Sequence, residues 1–282
     1  MTFRIGAHVS ISGGVEKAVG REVDLGGNCG QIFVGSPRTW ATSEFADDET
    51  AAFREAATDA DVGPWIVHGT YLINFATPKD DLGAKSVDAV QAELDAAAAL
   101  GVDYYTFHPG SHTGAGVDGG IENIAARLSD LDVPDGVTLL LENTAGKGTT
   151  LGKEFAQLDA MVEQSDYGYD DLGVCLDSCH LYAAGYDFTT AEGMDEMVAE
   201  LDAAVGLENV GYLHLNDSKH PLGSEKDEHE HIGEGEIGEA GFRRFVTHDA
   251  FADLPMVLET PVDDEGGYAE NIETVRRLHG EA

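Results

Sequence analysis

Eight short β-rich runs, each followed by a stretch with helical periodicity, predict an α/β chain folded as a single (β/α)8 TIM barrel. Length agrees: 282 residues suit one such barrel, spanning 1–282 with no Pro/Gly-rich linker, internal repeat or low-complexity segment to mark a second domain. No GxGxxG follows the first run, which weighs against a doubly wound open sheet.

In chain order the runs are RIGAHVSI (4–11), CGQIFVG (29–35), PWIVHG (64–69), YYTFHPG (104–110), VTLLLENT (137–144), LGVCLDSC (172–179), VGYLHLND (210–217) and PMVLETP (255–261). The stretches between them are rich in alanine and acid. AKSVDAVQAELDAAAALG (84–101) shows the pattern, with apolar residues at helical spacing and Gly101 placed as a C-cap. The longest irregular pieces, 35–48, 109–120 and 216–238, each follow a run's C-terminal end. In a barrel they share one face, the face on which active sites are built.

Acids outnumber bases 53 to 16, yet charged residues make up only 24% of the chain and hydrophobic residues reach 42%. Such a chain has enough apolar surface to bury a core, so disorder is excluded. A net charge of -37 spread over every helix repels itself at low ionic strength. Molar salt, with a Debye length of about 3 Å, relieves that repulsion, and the composition is that of a protein from a salt-loving cell. The opening residues carry no basic-apolar leader and no stretch approaches a membrane span, so a soluble, cytoplasmic protein without a membrane partner is expected. Cys29, Cys175 and Cys179 form no disulfide framework and read as buried small hydrophobes.

Runs three to eight end in His68, His108, Glu142, Asp177, His214 and Glu259, in that order. One such residue alone is more often a satisfied polar group or a helix cap. Six at one barrel mouth would repel unless cations neutralised them, and imidazole mixed with carboxylate suits zinc or manganese. His180 lies three beyond Asp177, and Asp227 and His229 are two apart in DEHEH, so an extended loop turns both to one side. Spacing alone leaves His231 as an alternative to His229.

The ordered set GAHVS (6–10), SPRTW (36–40), HGTYLIN (68–74), FHPGSH (107–112), LENTAGKG (141–148), CLDSCH (175–180), HLNDSK (214–219), DEHEHIGEG (227–235) and LETP (258–261) resembles the endonuclease IV family of abasic-site DNA repair nucleases. The resemblance runs nearly end to end. It implies a monomeric DNA repair enzyme acting on double-stranded DNA that contains abasic sites, with three Zn2+ per chain and Mn2+ possible at one site. His68 and His108 would hold one ion and share Glu142 with a second, completed by Asp177, His214 and Glu259, while His180, Asp227 and His229 would hold the third. The family spacing D-x-H-x-x-I-G-x-G, met by Asp227, His229, Ile232, Gly233 and Gly235, makes His229 the ligand and leaves His231 outside. Ser178 departs from the family's usual threonine but keeps a hydroxyl.

Two metals about 3.5–4 Å apart clamp the attacking and leaving oxygens of an in-line phosphodiester displacement, and Glu142 would set that spacing. Glu259 would orient or deprotonate the attacking water. The family further implies that Arg38, Tyr71 and Leu72 enter the minor groove, as wedge residues that unstack a nucleotide do. All seven lysines (Lys17, Lys79, Lys85, Lys147, Lys153, Lys219 and Lys226) fall in loops after strands or in the first turns of the next helices. Helix N-termini disfavour cations, so a phosphate-binding rim including Lys147, Lys219 and Lys226 is expected. Glu142, Asp177, His214 and Glu259 alone would also suit a one-metal sugar isomerase or epimerase. The surplus of His68, His108, His180, Asp227 and His229 separates the two. An acidic metal-binding protein without catalysis would instead scatter its ligands over exposed helices.

Overall fold

A computed structural model describes residues 3–263 and 267–280. Eight parallel strands close a barrel: β1 (Ile5–His8), β2 (Gly30–Ile32), β3 (Trp65–His68), β4 (Tyr104–Phe107), β5 (Thr138–Glu142), β6 (Leu172–Asp177), β7 (Val210–Leu215) and β10 (Met256–Leu258). Barrel strands that follow one another in sequence are neighbours in the sheet, and β1 pairs with β10 to close it, with Ile5 opposite Met256. Every predicted run therefore contains a barrel strand.

Helices follow the strands: α1 (Lys17–Leu25), α2 (Asp47–Ala60), α3 (Asp80–Leu100), α4 (Gly116–Ser129), α5 (Phe155–Glu163), α7 (Ala191–Ala204), α8 (Gly238–Val246) and α9 (Tyr268–His279). The α3 boundary falls where its sequence placed it, with Gly101 in the left-handed conformation at φ 69°. Two elements were not foreseen. A short helix α6 (Ser178–Ala184) starts directly on β6, because the Asp177 carboxylate caps it by accepting the His180 N–H at 2.8 Å. A two-stranded antiparallel ribbon, β8 (Asp217–Ser218) with β9 (His229–Glu230), organises the loop after β7.

Two apolar layers hold the barrel. One lies between strands and helices and includes Phe53, Phe75, Phe107, Phe155 and Phe245. The other, Cys29, Ile66, Leu140, Cys175, Tyr212 and Val257, forms a separate buried cluster. Side chains alternate along a strand, so residues two positions on share that direction: Gln31, His68, Glu142, Asp177, His214 and Glu259. The polar ring at the C-terminal mouth is thus stacked on an apolar floor by strand periodicity alone. The cysteines are free and buried, as expected of small hydrophobes.

The lysines differ slightly from their predicted placement. Lys85 lies in the second turn of α3, where its ammonium sits over the Trp40 ring at 4.7 Å. Lys153 pairs with Glu225 at 2.6 Å and Lys219 approaches Glu230 at 3.9 Å, so acids from the surrounding loops offset part of the basic rim.

Some acids are fully buried outside the candidate ligand sets. Glu22 of α1 reaches the back of β1, where Oε1 accepts the Ala7 N–H at 3.0 Å and Oε2 has no hydrogen-bond partner among the described residues. Gly27 makes the room, since a Cβ there would lie 1.8 Å from Oε1. Burial pushes this carboxyl up from 4.5 to about 9. The folded state therefore holds a proton that the unfolded chain has released, and stability falls as pH rises from about 4.5 to 9. Denaturant titrations of wild type and Glu22→Gln across this range should differ in slope by about 1.4 kcal/mol per pH unit, with the wild type losing stability and the variant lacking that loss. Parallel pH profiles would show Glu22 to be ionised in the folded protein.

Candidate metal centre

Glu142, at the end of β5, is the hub of the mouth. Its carboxylate is fully buried and faces four imidazoles: His68 Nε2 at 3.3 Å, His108 Nε2 at 3.2 Å, His214 Nδ1 at 3.2 Å and His180 Nδ1 at 3.5 Å. Burial would raise its pKa, but His214 and His108 outweigh burial and hold it well below the carboxylate range. Glu259, one residue past β10, is likewise held down to about 2, against burial, chiefly by His214 and His68.

A second set lies beside the first. His180 Nε2 and His229 Nε2 both stand 3.2 Å from Asp227 Oδ1, and Asp177 lies 3.9 Å from each ring. Burial alone would lower His229; the adjacent carboxylate of Asp227 and the Asp177 and Glu259 charges raise it to about 9. Asp227 and His229 lie on one side, as an extended segment leading into the ribbon should place them.

The outward ring nitrogens are tied down. His68 Nδ1 donates to the Gly69 carbonyl (2.7 Å), His180 Nδ1 to that of Asn143 (2.9 Å) and His229 Nδ1 to that of Glu259 (3.1 Å), while His214 Nε2 meets Gln31 Oε1 (2.7 Å). In each ring the other nitrogen then faces the mouth, where giving up its proton to a bound cation leaves the tautomer a metal ligand requires. Glu142 Oε2 and His229 Nε2 are buried without a hydrogen-bond partner among the described residues. The donor sets whose atoms lie within 4.8 Å of one another include His68–His108–Glu142, Glu142–Cys175–His214, Glu142–Asp177–His180 and His180–Asp227–His229. The donors fit divalent cations; Cys175, buried and with its thiol pushed up to about 11, first by burial, fits as floor rather than ligand.

All nine sequence-predicted ligands therefore converge. Sequence reasoning missed four side chains that hold them. Gln31 also donates to Glu259 Oε1 (2.6 Å) and contacts His8 Nδ1 (2.8 Å). Asn143 accepts the Asp177 N–H (2.6 Å), and Asn216 bridges Asp177 Oδ2 (2.6 Å) and the Glu259 N–H (2.8 Å). Strand parity identifies Gln31 and His8, which hold on β2 and β1 the positions of the ligands on β3 to β10. Ser178 keeps its hydroxyl bonded to the Asn216 carbonyl at 2.8 Å. His231 is turned away from the metal sets, against Asn271 and Asp263.

A cavity of about 580 Å³ opens above the ligands and is rimmed by Tyr71 and Pro261. Tyr71 is 60% exposed and packs edge-on against Phe33 and His68. Its N–H bonds the Pro37 carbonyl, which joins its loop to the one carrying the exposed Arg38. Leu72 is half-buried, while Lys147, Lys219 and Lys226 are exposed on the surrounding loops.

Residues 20–278 match the family described as xylose isomerase-like TIM barrel. The probable endonuclease 4 of Halobacterium salinarum is 55% identical over 277 residues, covering 98% of this chain and 99% of that protein. The chain belongs to the endonuclease IV family. The probable endonuclease 4 of Haloarcula marismortui is 54% identical over 99% of both chains. The crystal structure of endonuclease IV from Thermus thermophilus superposes with a TM-score of 0.86 at 39% identity, covering 99% of this chain and 100% of that one. A D-tagatose 3-epimerase-like protein shares the fold alone, at 18% identity and a TM-score of 0.73, covering 99% of this chain and 98% of that one. Endonuclease IV enzymes are metal-dependent, and the clustered histidines and carboxylates are the candidate ligands here.

If His229 is a ligand and His231 is not, His229→Ala should lose one equivalent of zinc per chain, whereas His231→Ala should bind the wild-type number at saturating zinc. Equilibrium dialysis of the two variants against saturating zinc decides this; equal loss in both would place the loop in the wrong register.

Proposed function

We infer that this protein hydrolyses the DNA phosphodiester 5′ to an abasic site, leaving a 3′ hydroxyl and a 5′ deoxyribose phosphate. The whole chain, 1–282, acts as one catalytic domain, as a cytoplasmic monomer holding three Zn2+, one of which Mn2+ can replace. The observation that carries this reading is the His180–Asp227–His229 set beside the Glu142 hub. A one-metal sugar isomerase on this barrel needs only Glu142, Asp177, His214 and Glu259.

In this reading His68, His108 and Glu142 hold one ion, Glu142, Asp177, His214 and Glu259 a second, and His180, Asp227 and His229 the third. Bound there, the metals would supply Lewis-acid neutralisation of the phosphate and a water acidic enough to lose its proton near neutral pH. The protein's part is placement. Glu259 is anionic over the working pH range, so its carboxylate orients a water by accepting its hydrogen bond. Tyr71 stands at the rim and Arg38 is exposed on the loop joined to it through Pro37, and a flat ring and a guanidinium can fill the gap left by an extruded abasic nucleotide. Leu72, half-buried, contributes less of its surface to that wedge.

An abasic duplex incubated with protein in high salt should be cut once, at the lesion. Glu259→Gln should lower the rate by at least ~10³-fold with most binding retained. A preparation that carries one metal per chain and isomerises a sugar would overturn the assignment.

Binding must also work where salt removes most phosphate attraction. Each phosphate contact adds about -0.9 to the slope of log affinity against log salt, so a many-contact binder would be ineffective at molar salt. With Lys153 and Lys219 already near acids, titrations on abasic duplex should give a shallow slope and a larger loss from Tyr71→Ala than from Lys153→Ala. A steep slope, or a Tyr71 variant that binds as wild type, would show that phosphate electrostatics dominates.

A further inference from the structure

His231 is 3% exposed, lies two residues from His229 and touches none of the candidate ligand sets, yet it is fully engaged. Its Nδ1 is 2.9 Å from Asn271 Nδ2 on α9, and its Nε2 is 3.2 Å from Asp263 Oδ1, four residues past Glu259. The orientation of Asn271 is set by other bonds: Oδ1 accepts the Ile232 N–H at 2.8 Å, and Nδ2 donates to the Gly267 carbonyl at 2.8 Å. An amide nitrogen therefore faces His231 Nδ1, which must accept. The ring proton is left on Nε2, where it donates to Asp263. Asn271 Nδ2 also reaches Thr260 Oγ1 at 3.1 Å. One imidazole thus joins the loop of Asp227 and His229 to the segment after Glu259 and to α9.

We propose that His231 is a positioning residue for the third metal: the Asp263–His231–Asn271 relay locks the loop bearing Asp227 and His229 onto the segment bearing Glu259. The inference rests on the metal assignment given under Proposed function. The lock complements two further anchors of the loop, the β8–β9 ribbon and the Asp217 carboxylate. Asp217 accepts the N–H groups of Gly233, Gly235, Ile237 and Gly238 at 2.9–3.2 Å, which fixes the loop beyond Ile232. Nothing in that cradle sets the distance between His229 and Glu259. Besides the relay, the His229 Nδ1 bond to the Glu259 carbonyl ties the two together.

The test is the rate at which zinc leaves for a colorimetric chelator in wild type, His231→Ala, His231→Asn and Asn271→Asp, with thermal melting in parallel. Groups that orient a metal ligand are worth about 10–100-fold in metal affinity. In His231→Ala and Asn271→Asp, one of three equivalents should therefore leave ~10–100-fold faster while the other two keep wild-type rates. Asn271→Asp keeps the acceptor for Ile232 and removes the Nδ2 donor that serves His231, Thr260 and the Gly267 carbonyl while leaving His231 in place, so with the melting control it carries the test if His231→Ala folds poorly. His231→Asn places an oxygen where Nδ1 stood and should recover most of the wild-type rate. Acceleration of all three equivalents together, no acceleration, or an asparagine variant as leaky as alanine would overturn the lock. A wild type that binds fewer than three equivalents would instead overturn the metal assignment on which it rests.

Discussion

A carboxylate buried at the centre of four imidazoles is the constraint to which the rest of this molecule answers. An isolated buried anion costs several kcal/mol, and Glu142 remains ionised only because histidines from the ends of three strands and from a helix close around it. Bringing them together requires those strands to end at one level, which a closed parallel barrel with neighbouring register achieves. The arrangement is half of an ion pair network: its negative members are the carboxylates, and its positive members are either protons on the rings or metal cations. The same set of side chains serves both states.

Much of this was legible in the residues. The eight strands, the barrel and the six strand-end candidate ligands follow from period-two runs ending in chelating side chains at even spacing, while in the loop set of His180, Asp227 and His229 the choice of His229 over His231 comes from the resemblance. What escaped was what holds them. Asn143 and Asn216 follow Glu142 and His214 closely in sequence but act on Asp177 and on the Glu259 backbone, partners 34 to 43 residues away. No local pattern encodes such reach. The ribbon was missed because two residues per strand are too few to show alternation, and α6 because Asp177 serves as both helix cap and candidate ligand. The lysine rim was overdrawn, since acids of the surrounding loops lie beside Lys153 and Lys219.

The acidity of the surface and that of the site have different physical meanings. Surface acids are spread and solvated, and salt screens them. At the mouth Glu142 and Asp177 are fully buried, Glu259 half-buried and Asp227 exposed, and each lies within 4 Å of two or more imidazoles. A change in salt therefore acts on the shell of this protein and leaves the mouth to its own internal balance. Glu22 belongs to neither class, because it stays uncharged at the back of the barrel.

The ties on the outward ring nitrogens bear on how the sequence can drift. Three of the four histidines so held are oriented by main-chain carbonyls, those of Gly69, Asn143 and Glu259. A peptide oxygen is present whatever side chain stands at its position, so no single codon change deletes it. His214 alone of these four leans on a replaceable group, the amide of Gln31. Among these four rings the heritable vulnerability is therefore concentrated at one residue of β2.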